Sequence, residues 1–417
     1  MKRRWSFALA VALSCWLPAS APAQDAGVVD AAPADEVAAI DRIVRASFYS
    51  ADRLGQVQWA DHVRKAREQL RGTTAADRPA ILAALVRQLA TSHTEYLWRD
   101  EPRYWQLLSI FQDILAKPSD RCPDPRKLPP MPIEVADIGV WWTQRDGRWF
   151  VGGVFDDSPA QRAGLLLGDE IVTADGKPFR PVAAFAGGPT RTVALGVRRK
   201  QGSALRTVTL RPHRAQPREA FRAALAASAR IVVRGQARVA YVHVWSWAGD
   251  EMQEELEAAI AELNRKRPTA FVVDLRDGWG GASPDFLRIF DARIPVLESV
   301  DRRGRRFRHD PQIRVPAVVL INGGSRSGKE IIAHGIQRHH LARLVGEPTG
   351  GAVLPGSVFC LDDGAILYLA VSALTVDGEV LEGKGVAPDV AVPFDLRYAA
   401  GVDPQLEAAI DLAARGR

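Results

Sequence analysis

The stretch Asn322-Gly323-Gly324-Ser325-Arg326-Ser327-Gly328-Lys329-Glu330 holds the residue types needed for nucleophilic chemistry. It follows an apolar run, Ala317-Val318-Val319-Leu320-Ile321, and opens a helical pattern from Lys329 to Gln337. A buried strand, a sharp turn and a helix in that order expose a serine hydroxyl at the turn, as nucleophile elbows do. The helix N-terminus then favours negative charge beside it. The same residues admit a phosphate-loop reading, because Gly323, Gly328 and Lys329 give the Gly-x-x-x-x-Gly-Lys spacing. Glu330 argues against it: a Ser or Thr that holds Mg²⁺ belongs at that position, and a carboxylate repels phosphate. The histidines at 62, 213, 243, 309, 334, 339 and 340 lack metal spacing, and no HExxH is present. No metal or organic cofactor is implied.

Three regions must position this turn. Residues 36–117 read as a helical subdomain, clearest where Asp77 precedes Ile81, Leu82, Leu85, Val86 and Leu89 at three-to-four spacing, with a second amphipathic stretch from Tyr104 to Leu115. Residues 118–133 are rich in proline and charge and read as a linker. Over residues 134–215 the pattern changes to short strands. Asp146-Gly147 and Asp175-Gly176 are hairpin signals, the first lying between Val140-Trp141-Trp142 and Trp149-Phe150-Val151. Residues 216–417 begin with a helix near Arg218–Ser228. Strands at Val239–Val244, Ala270–Leu275 and Ala317–Ile321 then alternate with helices, of which Asp250–Leu263 is the first. That is the grammar of a parallel sheet. The expected fold class is α+β multidomain with an α/β core.

At 417 residues the chain is long enough for several cores, and its 47% hydrophobic and 25% charged residues are ordinary for a globular protein. Lys2, Arg3 and Arg4, the apolar stretch Trp5–Leu17 and Ala21-Pro22-Ala23 read as a signal peptide over residues 1–23, cut before Gln24. An uncleaved anchor helix and a lipoprotein at Cys15 are the alternatives; for the latter, Ala12 stands where a lipobox has Leu. Residues 24–35 read as a mobile tether. Removing the three leader cations from a net charge of +6 leaves +3, too little to argue for a nucleic-acid or membrane-surface partner. The expected location is therefore periplasmic or secreted, with no stable membrane span after cleavage. Cys122 and Cys360 then remain; an oxidising compartment permits a disulfide, and two buried free thiols are the other reading.

Ser158-Pro159-Ala160, Ala163-Gly164 and Gly168-Asp169-Glu170-Ile171 closely resemble the core signature of PDZ domains in bacterial proteases. Ser158 suits a helix cap with Pro159 at the first position, and Gly164 the positive φ at its end. The resemblance implies a module that binds an extended peptide as an added strand, with Ile138, Gly139 and Val140 as the loop for the terminal carboxylate. A purely structural glycine at 139 is the competing reading.

Four further motifs, in order, resemble the carboxyl-terminal processing (tail-specific) serine proteases. They are Asp274-Leu275-Arg276-Asp277-Gly278-Trp279-Gly280-Gly281, the Ser327 turn, Leu344-Val345-Gly346-Glu347-Pro348-Thr349 and Gly385-Val386-Ala387-Pro388-Asp389. The likeness runs from about residue 80 to the end. It implies a ClpP/crotonase-like core, Ser327 as nucleophile, Gly328 with Gly280 or Gly281 as oxyanion donors, and a polypeptide substrate.

The departure is Ala352, which stands where the Ser-Lys branch has its general-base lysine. Lys329, two residues from Ser327 inside the helix start, is expected to point elsewhere. Thr91-Ser92-His93-Thr94 resembles the His motif of the tricorn-like branch, which implies His93 as base, with Ser92 and Glu382 completing the set. A helix-capping His is the plain alternative. A non-cutting PDZ scaffold and an esterase on the same core are the rival functions.

Overall fold

In the computed structural model, which describes residues 35–416, the chain begins with helices α1 (Glu36–Ser47), α2 (Trp59–Leu70) and α3 (Arg78–Arg87). Strand β1 (Glu95–Leu97) and helix α4 (Pro102–Leu115) follow. The leader, its alternatives and most of the expected tether lie outside the described residues. Asp35 caps α1 by accepting the Ala38 N–H at 2.9 Å. Val37, Ile40 and Val44 on one face of α1 are buried with Trp59 and Val63 of α2 and Leu82, Leu85 and Val86 of α3. Strand β1 interrupts a region whose pattern reads as helical. Three residues carry no period of their own, and this strand exists because a distant hairpin pairs with it.

A strand-rich part comes next. Strands β2 (Val140–Arg145), β3 (Arg148–Val154), β4 (Glu170–Ala174), β5 (Val193–Arg198) and β6 (Arg206–Leu210) form an antiparallel sheet in that order, with β2 at its edge. Asp146 and Gly147 both take positive φ, 50° and 73°, as the turn between β2 and β3 requires. Ser158 Oγ accepts the Gln161 N–H at 3.1 Å and caps the short helix Pro159–Arg162. Helix α5 (Pro217–Ser228) leads into the core.

The core sheet runs β7 (Arg230–Arg234), β8 (Ala237–His243), β9 (Ala270–Asp274), β10 (Ala317–Ile321), β11 (Arg343–Gly346) and β14 (Val390–Ala391). Only β7 is antiparallel to its neighbour. Side chains of β9 alternate. Phe271 and Val273 face helices α6 (Asp250–Arg265) and α7 (Gly328–Arg338), whereas Ala270 and Val272 face α8 (Pro404–Ala414). Cover on both faces is why these strands read as unbroken apolar runs. The intervening hairpin β12 (Gly356–Cys360) and β13 (Ile366–Ala370) pairs with β1, giving Glu95↔Tyr368 and Tyr96↔Leu367. Helices α1–α3 pack on this hairpin through Phe359, Leu361, Leu367 and Leu369. A disulfide between Cys122 and Cys360 ties residues 118–133 to the end of β12, which settles the choice that the sequence left open.

Candidate active site

Ser327 sits between β10 and α7 with φ 57° and ψ −131°, a backbone region that non-glycine residues rarely occupy. Its neighbours fix that turn. Ser325 Oγ donates to the Leu275 carbonyl at 2.8 Å, and Asn322 Oδ1 accepts the N–H groups of Asp277 and Gly324 at 3.0 and 2.9 Å. The Ser327 N–H donates to the Ala352 carbonyl at 2.7 Å. Lys329 is fully buried and donates from Nζ to the Asp277 carbonyl at 2.6 Å, with burial pulling its pKa down to about 7. This ammonium is held by the 274–281 loop, as expected of a side chain that points away. Glu330 turns inward to Thr349, which leaves nothing like a Mg²⁺ ligand set for the phosphate-loop reading.

Gly280 lies against the serine. A Cβ added at Gly280 would fall 2.5 Å from Ser327 Cβ and 2.8 Å from the Gly328 nitrogen. Gly328 packs equally closely on Ala282, and Gly281, with φ 97°, on Ala248. Gly278 takes φ 72°. Its Cβ would meet the Trp245 carbonyl oxygen at 1.7 Å, so no side chain fits there.

His93 follows α3 with φ 52°, is 4% exposed, and holds its ring 5.4 Å from that of Tyr368 on β13. Ser92 Oγ lies 3.0 Å from His93 Nδ1 and 2.9 Å from Glu382 Oε2, and the Ser92 N–H donates to Glu382 Oε1 at 3.1 Å. A carboxylate only accepts, so the Ser92 hydroxyl donates to Glu382 and accepts from Nδ1–H. That tautomer leaves the Nε2 lone pair free. Burial, then the charges of Arg326 and Arg103, pull the imidazole down to about 3, so it is neutral at pH 7. Among the described residues no hydrogen bond joins His93 to Ser327. Apo sites commonly tighten such contacts only around substrate.

The segment Thr349–Leu354 links the pieces. Glu330 accepts from Thr349 Oγ1, Gly351 N–H and Ala352 N–H at 2.6–2.7 Å. Glu382 Oε2 accepts from Val353 N–H at 2.9 Å. Ala352 thus has its N–H on Glu330 and its carbonyl on Ser327, and its methyl group is buried. Glu330 was not among the expected site residues, although the motif contained it.

The expected peptide loop lies elsewhere. Gly139 has φ 77°, and a Cβ there would lie 2.2 Å from Ser158 Cβ. Ile138 and Gly139 carbonyls accept the Ala160 and Phe155 N–H groups at 2.9 Å. This gives Gly139 a structural reason, whatever else it does. Asp137 and Val140 line a cavity of about 40 Å³ with Trp142, Trp105 and Phe221, away from Ser327. A larger cleft of about 1070 Å³ runs from Trp141–Arg145 of β2 to Asp277, Gly278, Asn322 and Arg326. Among the described residues no cluster of three or more His, Cys, Asp or Glu is placed to hold a metal, and no helix is long and apolar enough to cross a membrane.

Residues 238–392, which carry the Ser327 turn, match the model of peptidase family S41. Over these residues the chain is similar to that family. The chain is a homologue of the carboxyl-terminal processing proteases: it is 29% identical to the carboxy-terminal-processing protease of Bartonella bacilliformis over 286 residues, 64% of this chain and 63% of that protein. A similar protease of Synechocystis is 28% identical over 62% of this chain and 63% of its own length. The chain thus spans somewhat under two thirds of these relatives. Among solved structures, a photosystem II D1 C-terminal processing protease has a TM-score of 0.50 at 19% identity, covering 88% of this chain and 97% of that one. The tricorn protease also has 0.50, at 16% identity, over 91% of this chain and 36% of that one. These likenesses show a mixed α/β S41 protease fold.

Proposed function

We propose that this protein is an exported serine endopeptidase that hydrolyses unfolded or C-terminally recognised polypeptides, with tricorn-like rather than Ser-Lys chemistry. His93 Nε2 removes the Ser327 proton as the hydroxyl attacks the scissile carbonyl, then protonates the leaving amine. Ser92 and Glu382 act as a relay that holds the ring and stabilises the imidazolium. The Gly328 N–H and one from Gly280 or Gly281 receive the oxyanion. Water then releases the acyl-enzyme. Residues 134–215 serve as a PDZ domain, with Ile138-Gly139-Val140 receiving a chain end. The neighbouring edge strand β2 is suited to strand addition.

The observation that carries this reading is the Glu382–Ser92–His93 chain of hydrogen bonds, assembled from residues 290 positions apart. A capping histidine needs no carboxylate behind it. Digestion of casein and of tailed peptides by the wild type, Ser327→Ala and His93→Ala tests it. Cleavage should vanish in both variants, and survival in either overturns the assignment. A peptide-library digest beside an ester substrate separates peptidase from esterase.

A further inference from the structure

Arg326 directly precedes Ser327 and lines the large cleft. Its guanidinium lies over the Trp279 ring, 5.6 Å from the centroid, and that of Arg103 over the same ring at 5.0 Å. Trp279 is fixed by its Nε1–H on Gln106 Oε1 at 3.0 Å. Two cations therefore share one indole beside the serine turn.

The carboxylates around them are committed. Glu95 pairs with Arg103 at 2.8 Å. Glu330 holds the Thr349–Ala352 segment, and Glu382 holds Ser92 and Val353. Asp277 Oδ2 accepts from Asn322 at 3.2 Å. Among the described residues Arg326 has no ion-pair partner, and Arg103 Nε is buried with no hydrogen bond. Burial and the nearby Arg103 pull the Arg326 guanidinium down to about 10, so it stays charged at neutral pH without a counter-ion. An uncompensated, partly desolvated guanidinium offers a planar fork matched to a carboxylate.

The geometry points to Arg326 as the specificity-determining residue of the proposed peptidase, receiving a substrate carboxylate beside the scissile bond, with Arg103 reinforcing the field. This rests on Ser327 being the nucleophile. Two sources supply the same chemistry: an Asp or Glu side chain flanking the bond, or the free terminal carboxylate of the chain.

Matched peptides decide it. One pair differs by Glu against Gln beside the cleaved bond, and another by a free against an amidated C-terminus. A charge-assisted contact predicts a kcat/KM ratio of about 10 to 100 for the carboxylate member of one pair. Which pair shows it identifies the source. The ratio should collapse to about one in Arg326→Gln, largely persist in Arg326→Lys, and invert towards a Lys peptide in Arg326→Glu. A second arm needs no catalysis: the Ser327→Ala protein should bind the carboxylate peptide about tenfold or more tightly than its partner, and lose that preference when Arg326→Gln is added. If no peptide is cut, the nucleophile reading fails while this binding arm still decides the subsite. Equal binding and equal kcat/KM within both pairs, or a ratio unmoved by Arg326→Gln, overturns the inference.

Discussion

Glu382 and Ser92, 290 residues apart in the chain, are joined twice: hydroxyl to Oε2 at 2.9 Å and backbone N–H to Oε1 at 3.1 Å. The second bond fixes the main chain of the histidine loop, and the first fixes the hydroxyl that faces Nδ1. Glu382→Gln removes the charge and makes the relay ambiguous, because an amide can donate as well as accept. We expect kcat to fall by about 10² or more with KM little changed, as when an orienting carboxylate is lost elsewhere. Ser92→Ala should do similarly, and the double variant should cost much less than the product of the two. Steady-state kinetics on one peptide checks all three.

Gly280 gives a sharper geometric test. A methyl group there would enter the space of Ser327 Cβ and the Gly328 nitrogen at 2.5 and 2.8 Å. Gly280→Ala should lower kcat by about 10² or more, consistent with a displaced oxyanion donor. Stability should fall as well, because the methyl also meets backbone, the Arg326 carbonyl oxygen at 2.5 Å, but by less than the loss of kcat would require if unfolding were its cause. Urea unfolding alongside kinetics distinguishes a damaged site from a damaged fold.

The strands and helices around the serine turn were legible because each carries its own period or run. Ala317–Ile321 and the helix after it are local signals, and the structure places them within a residue or two. The Ser158 cap and the Asp146-Gly147 hairpin were readable for the same reason. What stayed hidden was non-local. Strand β1 has three residues and exists through Tyr368 and Leu367 on a distant hairpin. Whether Cys122 and Cys360, 238 positions apart, come within bonding reach depends on the whole fold. Arg103 gives no sequence sign that it shares an indole with Arg326. Arg326 stands in plain view beside Ser327, but its meaning depends on where the neighbouring carboxylates are spent. At Gly278, likewise, the Trp245 carbonyl excludes a side chain, a contact that no local signal announces.

Two buried imidazoles set an acid limit. Burial lowers His93 to about 3 and His243 to about 4, the latter despite the opposing pull of Asp274. Both titrate near 6.5 in the unfolded chain. Between those values the unfolded chain binds more protons, so stability falls as pH drops below about 6.5 and is unaffected by these groups above about 7.5. Each contributes a slope of at most about 1.4 kcal/mol per pH unit. Urea midpoints should therefore decline steadily from pH 6.5 to 4.5, and His243→Gln should flatten the slope by about one proton. Over the same range kcat/KM should lack the acid limb near 6.5 of an ordinary histidine base.

The Cys122–Cys360 link closes a loop of 238 positions, and Cys122 is fully buried against the core. Most of the restraint acts on the unfolded chain, which loses the freedom of that loop. In the folded state the link ties residues 118–133 to the end of β12, whose partner β13 carries Tyr368 beside His93. Cys122→Ser with Cys360→Ser should cost about 2–5 kcal/mol in urea unfolding. Hydrogen exchange should rise first in β1 and the β12–β13 hairpin, because these lose the covalent anchor while the parallel sheet keeps its own packing. If instead the parallel strands β8–β10 loosen together with the hairpin, the link stabilises the molecule as a whole and does not specifically hold the histidine loop.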